Sequence, residues 1–331
     1  MSEYVDRLQN YLISHGQPIE FQSLTADASM REYFRIIWDG RDAIACVYPG
    51  PFDSEEQNYL DSTRLFLACG LPVAEVINFD GESGVIIQED LGDRILRDLL
   101  NEEIGTKSRL LDEAITMIAR IQTATTKAFE MNSIASRFNF DQEKLLWELN
   151  FFKEHYFGTH LKKSLTPTDD ARLTGEFEEL TKELELCATV LCHRDFHAAN
   201  LMLDSQNRMR IIDHQDARIG SPAYDLVSLL LDRITEPPPP EWLAEKRRYF
   251  LNVRTKLGLG KLNEDDFANE FRLQTIQRCL KAAGTFSFQS ATRGKTYFVP
   301  FIKPMFRISI RGAESLSRFP AIREILGREI N

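Results

Sequence analysis

Residues 191–203 have the sequence LCHRDFHAANLML, and the nearby residues 210–213 have the sequence RIID. Two short apolar runs surround a polar turn here, which predicts a β-hairpin. Positions 200 and 213 are symmetric about the centre of that turn, so a simple hairpin places Asn200 opposite Asp213. The stretch therefore predicts two oxygen ligands close together in space.

The spacing H-R-D-x-x-x-x-N within this stretch suits phosphoryl transfer to a hydroxyl group. Such a reaction needs a carboxylate that accepts the hydroxyl proton, and cations that neutralise the phosphate oxygens. Asp195 suits the first task. Magnesium takes oxygen ligands and keeps several waters, so Asn200 and Asp213 suffice beside nucleotide phosphates. We expect Asp195 to be the catalytic base, Asn200 and Asp213 to bind the metal, and ATP and Mg²⁺ to be the cofactors.

A zinc cluster is a competing interpretation of the same stretch. His193 and His197 are four residues apart, and Cys192 and His214 are nearby, which resembles a zinc site if the segment is helical. This spacing matches no known ligand pattern, and it leaves the two oxygen ligands without a role. We therefore prefer His193 as a residue of the buried core.

The first ninety residues predict a small α+β unit. Residues 3–14 have the apolar spacing of a helix, and Asp39-Gly40 is a strong hairpin signal. Ser54 is the predicted cap of a second helix that ends near Cys69. The five strands are expected near residues 19–24, 31–38, 43–48, 75–79 and 85–88.

Helical patterns dominate the rest of the chain, beyond Leu91-Gly92. They are expected near residues 107–127, 140–156, 168–186, 222–234, 241–256, 264–283 and 302–317. This change predicts a nucleotide-binding lobe over residues 1–91 and a helical lobe with the catalytic loop and substrate pocket over residues 92–331. The segment from Gln88 to Gly92 connects them, and the cleft between the lobes is the expected ligand site.

Composition and charge limit the partners and the compartment. Forty basic and fifty acidic residues give a net charge of -10, which disfavours nucleic acid and anionic membranes. No apolar run has the length of a membrane span or a signal peptide. The five cysteines are an odd number without a C-x-x-C pair, which fits reduced thiols. We expect a cytoplasmic monomer that acts on a small molecule, without nucleic-acid or membrane partners.

Three parts of the chain resemble a known family. The residues from His193 to Asn200, the pair Ile212-Asp213, and residues 220–226 (GSPAYDL) are similar to motifs of the aminoglycoside phosphotransferase and choline kinase group of small-molecule kinases. The resemblance covers nearly the whole chain. It implies an α+β, bilobal, protein-kinase-like fold with a small antiparallel-sheet N-lobe and a mainly helical C-lobe. It also implies a structural role for Asp225.

Within this family, the chain most resembles bacterial kinases that phosphorylate the anomeric hydroxyl of N-acetylmuramic acid and N-acetylglucosamine in cell-wall recycling. Four stretches carry this similarity, namely residues 25–35 (TADASMREYFR), 88–93 (QEDLGD), 224–230 (YDLVSLL) and 277–286 (QRCLKAAGTF). The resemblance implies an amino sugar as acceptor and ATP as donor. It places the adenine side of the nucleotide at Gln88, Glu89 and Asp90. Substrate contacts are expected from three residues, Asp232, Arg278 and Lys281.

The chain departs from the wider kinase pattern in how it would hold phosphate. Protein kinases and many relatives carry a lysine on the third strand, whereas Cys46 stands at about that position here. No glycine-rich loop is present either. Small residues lie where such a loop would be, and we expect the backbone N–H groups of Ala28 and Ser29 to approach the phosphates.

Two alternative functions stay open at this point. Phosphorylation of an aminoglycoside or another amino alcohol suits the acidity of the chain, but it needs a cluster of acids in the acceptor pocket. A nucleotide-binding pseudokinase is suggested by the missing lysine. The intact set of Asp195, Asn200 and Asp213 argues against the second alternative, because a non-catalytic module needs neither a base nor both metal ligands.

Overall fold

A five-stranded antiparallel sheet forms the N-terminal part of the protein. The structure is a computed structural model that describes residues 3–24, 31–100 and 104–330. The strands are β1 (Phe21–Leu24), β2 (Glu32–Trp38), β3 (Arg41–Val47), β4 (Val76–Asp80) and β5 (Val85–Glu89). They lie in the order β1-β2-β3-β5-β4. All five predicted strands are therefore confirmed.

Alternation along β2 separates the two faces of this sheet. Phe34, Ile36 and Trp38 are buried against helix α1 (Glu3–Ser14), which has the predicted bounds. The intervening side chains, such as Tyr33, point to the opposite face and line a cleft. The sheet therefore has one apolar face that packs on α1, and an opposite face that lines the cleft.

Helix α2 (Asn58–Ala68) begins three residues later than predicted. The predicted cap Ser54 lies in a loop, and Gln57 caps the helix instead by accepting from the Tyr59 amide. The turn between β4 and β5 holds this loop in place, because Phe52 N donates to the Gly81 carbonyl at 2.8 Å. This long-range contact outweighs the local capping signal.

Helices form most of the remaining chain and enclose the main apolar core. The longer ones are α4 (Ile104–Thr123), α7 (Gln142–Phe152), α8 (Pro167–Leu186), α9 (Tyr224–Leu231), α10 (Pro240–Lys256), α11 (Glu264–Arg293), α12 (Ile302–Leu316) and α13 (Pro320–Ile330). Three short helices are α3 (Leu96–Leu99), α5 (Thr125–Glu130) and α6 (Ile134–Arg137), and a π-helical segment over Lys153–His160 continues α7. Four short strands form two pairs, β6 (Val190–Cys192) with β9 (Arg218–Gly220) and β7 (Leu201–Leu203) with β8 (Met209–Ile211).

The predicted helix near 264–283 is ten residues too short, because α11 continues to Arg293. Gly284 does not end the helix, since its missing side chain allows close packing. A Cβ atom at this position would lie 2.6 Å from the Cα of Phe152 at the end of α7. The glycine that ends the helix is Gly294, with a left-handed φ of 68°. Helix α13 was not predicted.

The predicted lobe boundary at residues 91 and 92 falls between β5 and α3, where sheet gives way to helix. The division into two lobes with separate roles stays a prediction. None of the helices given above combines the length and the apolar character that crossing a membrane requires.

Replacing Gly284 by Ala should push α11 away from α7, because the added methyl group meets backbone atoms that cannot rotate away. We expect the free energy of unfolding to fall by about 1–3 kcal/mol in urea denaturation. The control is Gly327→Ala in α13, where a Cβ atom meets nothing within 4 Å. That substitution should be neutral or stabilise by up to about 1 kcal/mol. Equal effects of the two substitutions would contradict the packing described here.

Candidate active site

A cleft of about 710 Å³ lies between the sheet and the helices. It collects nearly all of the predicted site residues. The residues that line it include Gln88, Glu89, Asp90, Asp195, Asn200, Asp213, Asp232, Arg278 and Lys281. The predicted phosphate-binding residues Ala28 and Ser29 lie outside the described residues.

The loop that carries Asp195 is held from beneath by a buried carboxylate. Asp225, in the first turn of α9, accepts hydrogen bonds from the backbone N–H groups of His193 at 2.7 Å and Arg194 at 3.0 Å. Arg194 has a φ of 84°, in the left-handed region. This is a costly conformation for a residue with a side chain, so surrounding contacts must maintain it. Asp225 therefore has the structural role expected from the sequence.

His193 is a core residue, and its imidazole connects the loop to the strands that follow. The ring is fully buried, and its Nε2 lies 3.0 Å from the carbonyl oxygen of Ile212. His214 is also buried, lies 2.8 Å from Thr63 Oγ1 and stacks on Phe66. Among the residues that the structure describes, no three His, Cys, Asp or Glu side chains come together as a metal site. These contacts give no support to the zinc interpretation.

Positive charge surrounds the carboxylate of Asp195. Its Oδ1 lies 3.4 Å from the Lys281 Nζ and 3.9 Å from an Arg278 Nη2, both from α11. Burial by itself raises the pKa of Asp195, but the charges of Lys281, Arg194 and Arg278 outweigh it and hold the pKa well below its usual range. Asp195 is therefore expected to be ionised at neutral pH.

Asn200 and Asp213 are adjacent, and the orientation of the Asn200 amide is fixed. Its Nδ2 donates to the Asp195 carbonyl at 2.9 Å and lies 3.4 Å from Asp213 Oδ2. Because these contacts engage the NH₂ group, the Oδ1 of Asn200 lies beside the Asp213 carboxylate as a second oxygen that could bind a metal ion. One neutral and one charged oxygen fit a magnesium ion that keeps waters and nucleotide oxygens as its other ligands.

The register predicted for the hairpin is wrong by one residue. Leu201 pairs with Ile211 and Leu203 with Met209, so the residue opposite Asn200 is Ile212, and Ile212 N donates to the Asn200 carbonyl at 3.0 Å. Asp213 nevertheless reaches Asn200, because its φ of 62° turns its side chain out of the strand direction. Strand alternation alone could not predict this backbone conformation.

One half of the cleft is built from the sheet and the hairpin, and we call it the nucleotide half after the role that the sequence predicts for it. Apolar side chains such as Ile44 and Met202 line it. The carboxylate of Glu89 is paired with Arg210 at 2.6 Å, and that of Asp90 with Arg35 at 2.5 Å. Arginines of the protein therefore hold both carboxylates, and a ligand beside this segment would meet its backbone and the side chain of Gln88.

We call the other half the acceptor half, again after the role that the sequence predicts. It begins at Asp195 and is lined by residues of α3, of the end of α9 and of α11, and by Phe298. Asp232 is paired with Arg97 at 2.7 Å. Arg278 is buried and donates to Ser228 Oγ at 2.6 Å and to the Tyr224 hydroxyl at 3.2 Å, whereas Lys281 reaches the cleft beside Asp195. The expected substrate residues therefore meet here, although protein contacts already engage Asp232 and Arg278.

Positive charge exceeds negative charge in the acceptor half. Among the described residues that line it, five are basic and two are acidic. They are Arg97, Arg233, Arg278, Lys281 and Lys295, with Asp195 and Asp232. Sequence reasoning missed Arg97, Arg233 and Lys295, because they lie in different segments without a shared motif. This half of the cleft suits an acceptor that is neutral or anionic rather than polycationic.

Solved structures with this architecture include a choline kinase and an aminoglycoside phosphotransferase. Choline kinase LicA from Streptococcus pneumoniae matches with a TM-score of 0.59 at 13% identity, over 94% of this chain and 98% of that chain. A thermostable mutant of aminoglycoside phosphotransferase APH(4)-Ia, in a ternary complex with AMP-PNP and hygromycin B, matches with a TM-score of 0.56 at 18% identity, over 92% and 98% of the two chains. At such identities the likeness establishes the fold, and the predicted α+β, protein-kinase-like fold is confirmed.

Sequence comparisons identify a similar kinase and the family to which this chain belongs. The N-acetylmuramate/N-acetylglucosamine kinase of Neisseria meningitidis serogroup B is 29% identical to this chain, over 98% of this chain and 96% of its own length. The sequence pattern described as the phosphotransferase enzyme family matches residues 20–259. This match spans more than half of the chain and confirms the prediction of an ATP-dependent phosphotransferase. The chain belongs to the phosphotransferase enzyme family.

Proposed function

We propose that this protein transfers the γ-phosphoryl group of ATP to the anomeric C1 hydroxyl of N-acetylmuramic acid, N-acetylglucosamine or both, in the recycling of cell-wall sugars. The Neisseria relative is named as a kinase of these two sugars and aligns along almost its whole length. The five cysteines are free thiols, which fits a reducing compartment, and we place the reaction in the cytoplasm of the cell.

The observation that carries this proposal is the charge of the acceptor half. Among the described residues that line it, five are basic and two are acidic. An aminoglycoside carries several ammonium groups and would be repelled, whereas the lactyl carboxylate of muramic acid would be attracted. The uncharged N-acetyl group of either sugar is compatible with the same surroundings. The acidity of the chain as a whole therefore does not argue for a polycationic acceptor.

Asp195 is the residue proposed to receive the acceptor hydroxyl. The hydroxyl donates a hydrogen bond to the carboxylate, which directs the oxygen toward the γ-phosphorus. The oxygen–phosphorus bond forms as the bond from phosphorus to the departing ADP oxygen breaks, and the hydroxyl proton passes to Asp195 and then to solvent. Because its pKa lies far below neutrality, Asp195 takes this proton late and acts largely by orienting the hydroxyl.

Asn200 and Asp213 are proposed to hold Mg²⁺, through the amide Oδ1 and the carboxylate. The ion supplies positive charge next to the phosphate oxygens when it is bound. Gln215 supports this arrangement, since its Nε2 donates to Asp213 Oδ1 at 2.7 Å and limits the rotation of the carboxylate. The chain thus provides orientation and charge for phosphoryl transfer.

The substrate is tested by ATP consumption with N-acetylmuramic acid, N-acetylglucosamine, glucosamine and kanamycin as acceptors. We expect turnover with one or both N-acetylated sugars, and a phosphorus signal correlated with the H1 proton of the product in NMR. The methyl glycoside of the same sugar is the control, because its C1 oxygen is blocked and it should give no product. Turnover with kanamycin alone would move the assignment to antibiotic phosphorylation, and a product phosphorylated at another hydroxyl would exclude the anomeric site.

Replacing Asp195 by Asn should lower kcat by about 10²–10⁴-fold, because the amide can neither accept the proton nor carry the negative charge. Binding of ADP, measured by calorimetry, should be retained. Asp265→Asn at the exposed start of α11 is the matched control and should keep full activity. Unchanged turnover by the Asp195 variant would rule out the mechanism given above.

Replacing Lys281 by Met should raise the pKa of Asp195, because burial then acts with one compensating charge fewer. In the wild type three cations oppose protonation of Asp195, so lowering the pH should cost the wild type less activity than it costs the variant. The ratio of variant to wild-type kcat/KM should therefore fall as the pH is lowered from about 7 to about 5. Lys281→Arg keeps the charge and should give a constant ratio. Parallel profiles for the Met variant and the wild type would contradict the electrostatic role of Lys281.

A further inference from the structure

The position at which many kinases carry a phosphate-binding lysine is occupied here by Cys46, on β3. Its side chain lines the nucleotide half of the cleft. The residue opposite Cys46 on the neighbouring strand β2 is Tyr33. Arg31 precedes Tyr33 by two residues, so its side chain emerges on the same face of the sheet. All three side chains line the cleft. A basic group therefore lies one strand away from the position where the sequence lacks it.

The guanidinium group of Arg31 is held toward the metal-binding pair. Its Nη2 lies 3.6 Å from Asp213 Oδ1. Its Cζ lies 5.8 Å from the ring centre of Tyr33 and 5.7 Å from that of Tyr48, within cation–π range of both. The side chain is 17% exposed. Two aromatic rings and a carboxylate thus fix the position of a charge at the edge of the cleft.

The other basic residue in the nucleotide half is engaged elsewhere. Among the described residues that line this half, Arg31 and Arg35 are the basic ones. Arg35 pairs with Asp90 at 2.5 Å and with Asp93 at 2.8 Å, in the segment that follows β5. Of these two arginines, Arg31 is therefore the one that contacts Asp213. If a metal ion joined Asp213 to a nucleotide, the phosphates of that nucleotide would lie beside the Arg31 guanidinium group.

We propose that Arg31 binds the phosphate oxygens of the nucleotide, in place of the lysine that other kinases carry on the third strand. A guanidinium group offers two parallel N–H donors that match two phosphate oxygens, and it is charged at every working pH. Its contact with Asp213 fits this role, because metal and nucleotide together bring new negative charge to the guanidinium. The inference concerns the donor nucleotide and holds whichever sugar is the acceptor.

The test measures binding of ADP and of adenosine by calorimetry, without any acceptor, so that it is independent of the proposed sugar. Arg31→Ala should weaken ADP binding by about 10- to 100-fold, the loss expected for a charge-assisted hydrogen bond to phosphate. Adenosine binding should not change, because adenosine has no phosphate. Arg31→Lys should recover part of the affinity, since the charge is kept and the paired donors are lost. Arg64→Ala, at an exposed position on α2, is the matched control and should bind both ligands as the wild type does.

A second variant places the basic group back on β3. Arg31→Ala combined with Cys46→Lys should bind ADP more tightly than Arg31→Ala alone, because the new ammonium group enters the same part of the cleft. Each measurement is made with Mg²⁺ and with EDTA. A loss that persists in EDTA supports a direct contact with phosphate, whereas a loss confined to Mg²⁺ would mean that Arg31 acts only through Asp213.

Besides a loss confined to Mg²⁺, three results would overturn the proposal. The first is wild-type ADP affinity in Arg31→Ala. The second is an equal weakening of ADP and adenosine in a variant whose thermal unfolding matches that of the wild type, because Arg31 would then not act on the phosphates. The third is a double variant that binds ADP no better than Arg31→Ala, which would mean that Arg31 does not occupy the functional place of the lysine.

Discussion

The buried carboxylate of Asp225 is the contact on which the rest of the site depends. It accepts two backbone N–H groups, those of His193 and Arg194, and so maintains the left-handed backbone at Arg194. The loop held in this way presents Asp195 to the cleft. The loop also contacts the hairpin that follows it. The His193 ring contacts the Ile212 carbonyl, and the Asn200 amide donates to the Asp195 carbonyl. One charge with no exposure to solvent thus positions the proposed base and both proposed metal ligands.

The electrostatics of the cleft differ from those of the whole molecule. The chain has a net charge of -10, which repels large polyanions. In the described part of the chain, however, the acceptor half has five basic residues against two acidic ones. Positive charge gathered inside a negatively charged protein can attract a small anion without attracting a nucleic acid. Two of these cations, Arg278 and Lys281 on α11, also act with Arg194 to keep the partly buried Asp195 ionised. The charge around Asp195 and the charge of the acceptor half therefore share these two side chains.

Local sequence signals predicted local features well. The Asp39-Gly40 turn, the five strands and α1 follow from spacing over a few residues. The hairpin that carries Asn200 and Asp213 was also predicted, although its register was not. The predicted helix bounds were wrong where contacts between distant residues determine them. The start of α2 depends on a backbone hydrogen bond from Phe52 to Gly81, and the length of α11 depends on the close packing of Gly284 on Phe152. Capping and periodicity rules cannot include such partners.

The sequence by itself determined the fold class, through motifs spread along the chain. It also determined the spacing of Asp195, Asn200 and Asp213, because these residues lie within one short loop and the hairpin that follows it. Tertiary structure alone decided which cations join them. Lys281 reaches Asp195 across 86 residues of chain, and Arg97 reaches Asp232 across 135. Arg31 meets Asp213 only because the sheet folds over the helices and closes the cleft. Such contacts depend on how whole elements pack, and packing is set by the buried surface of the entire chain rather than by any short pattern.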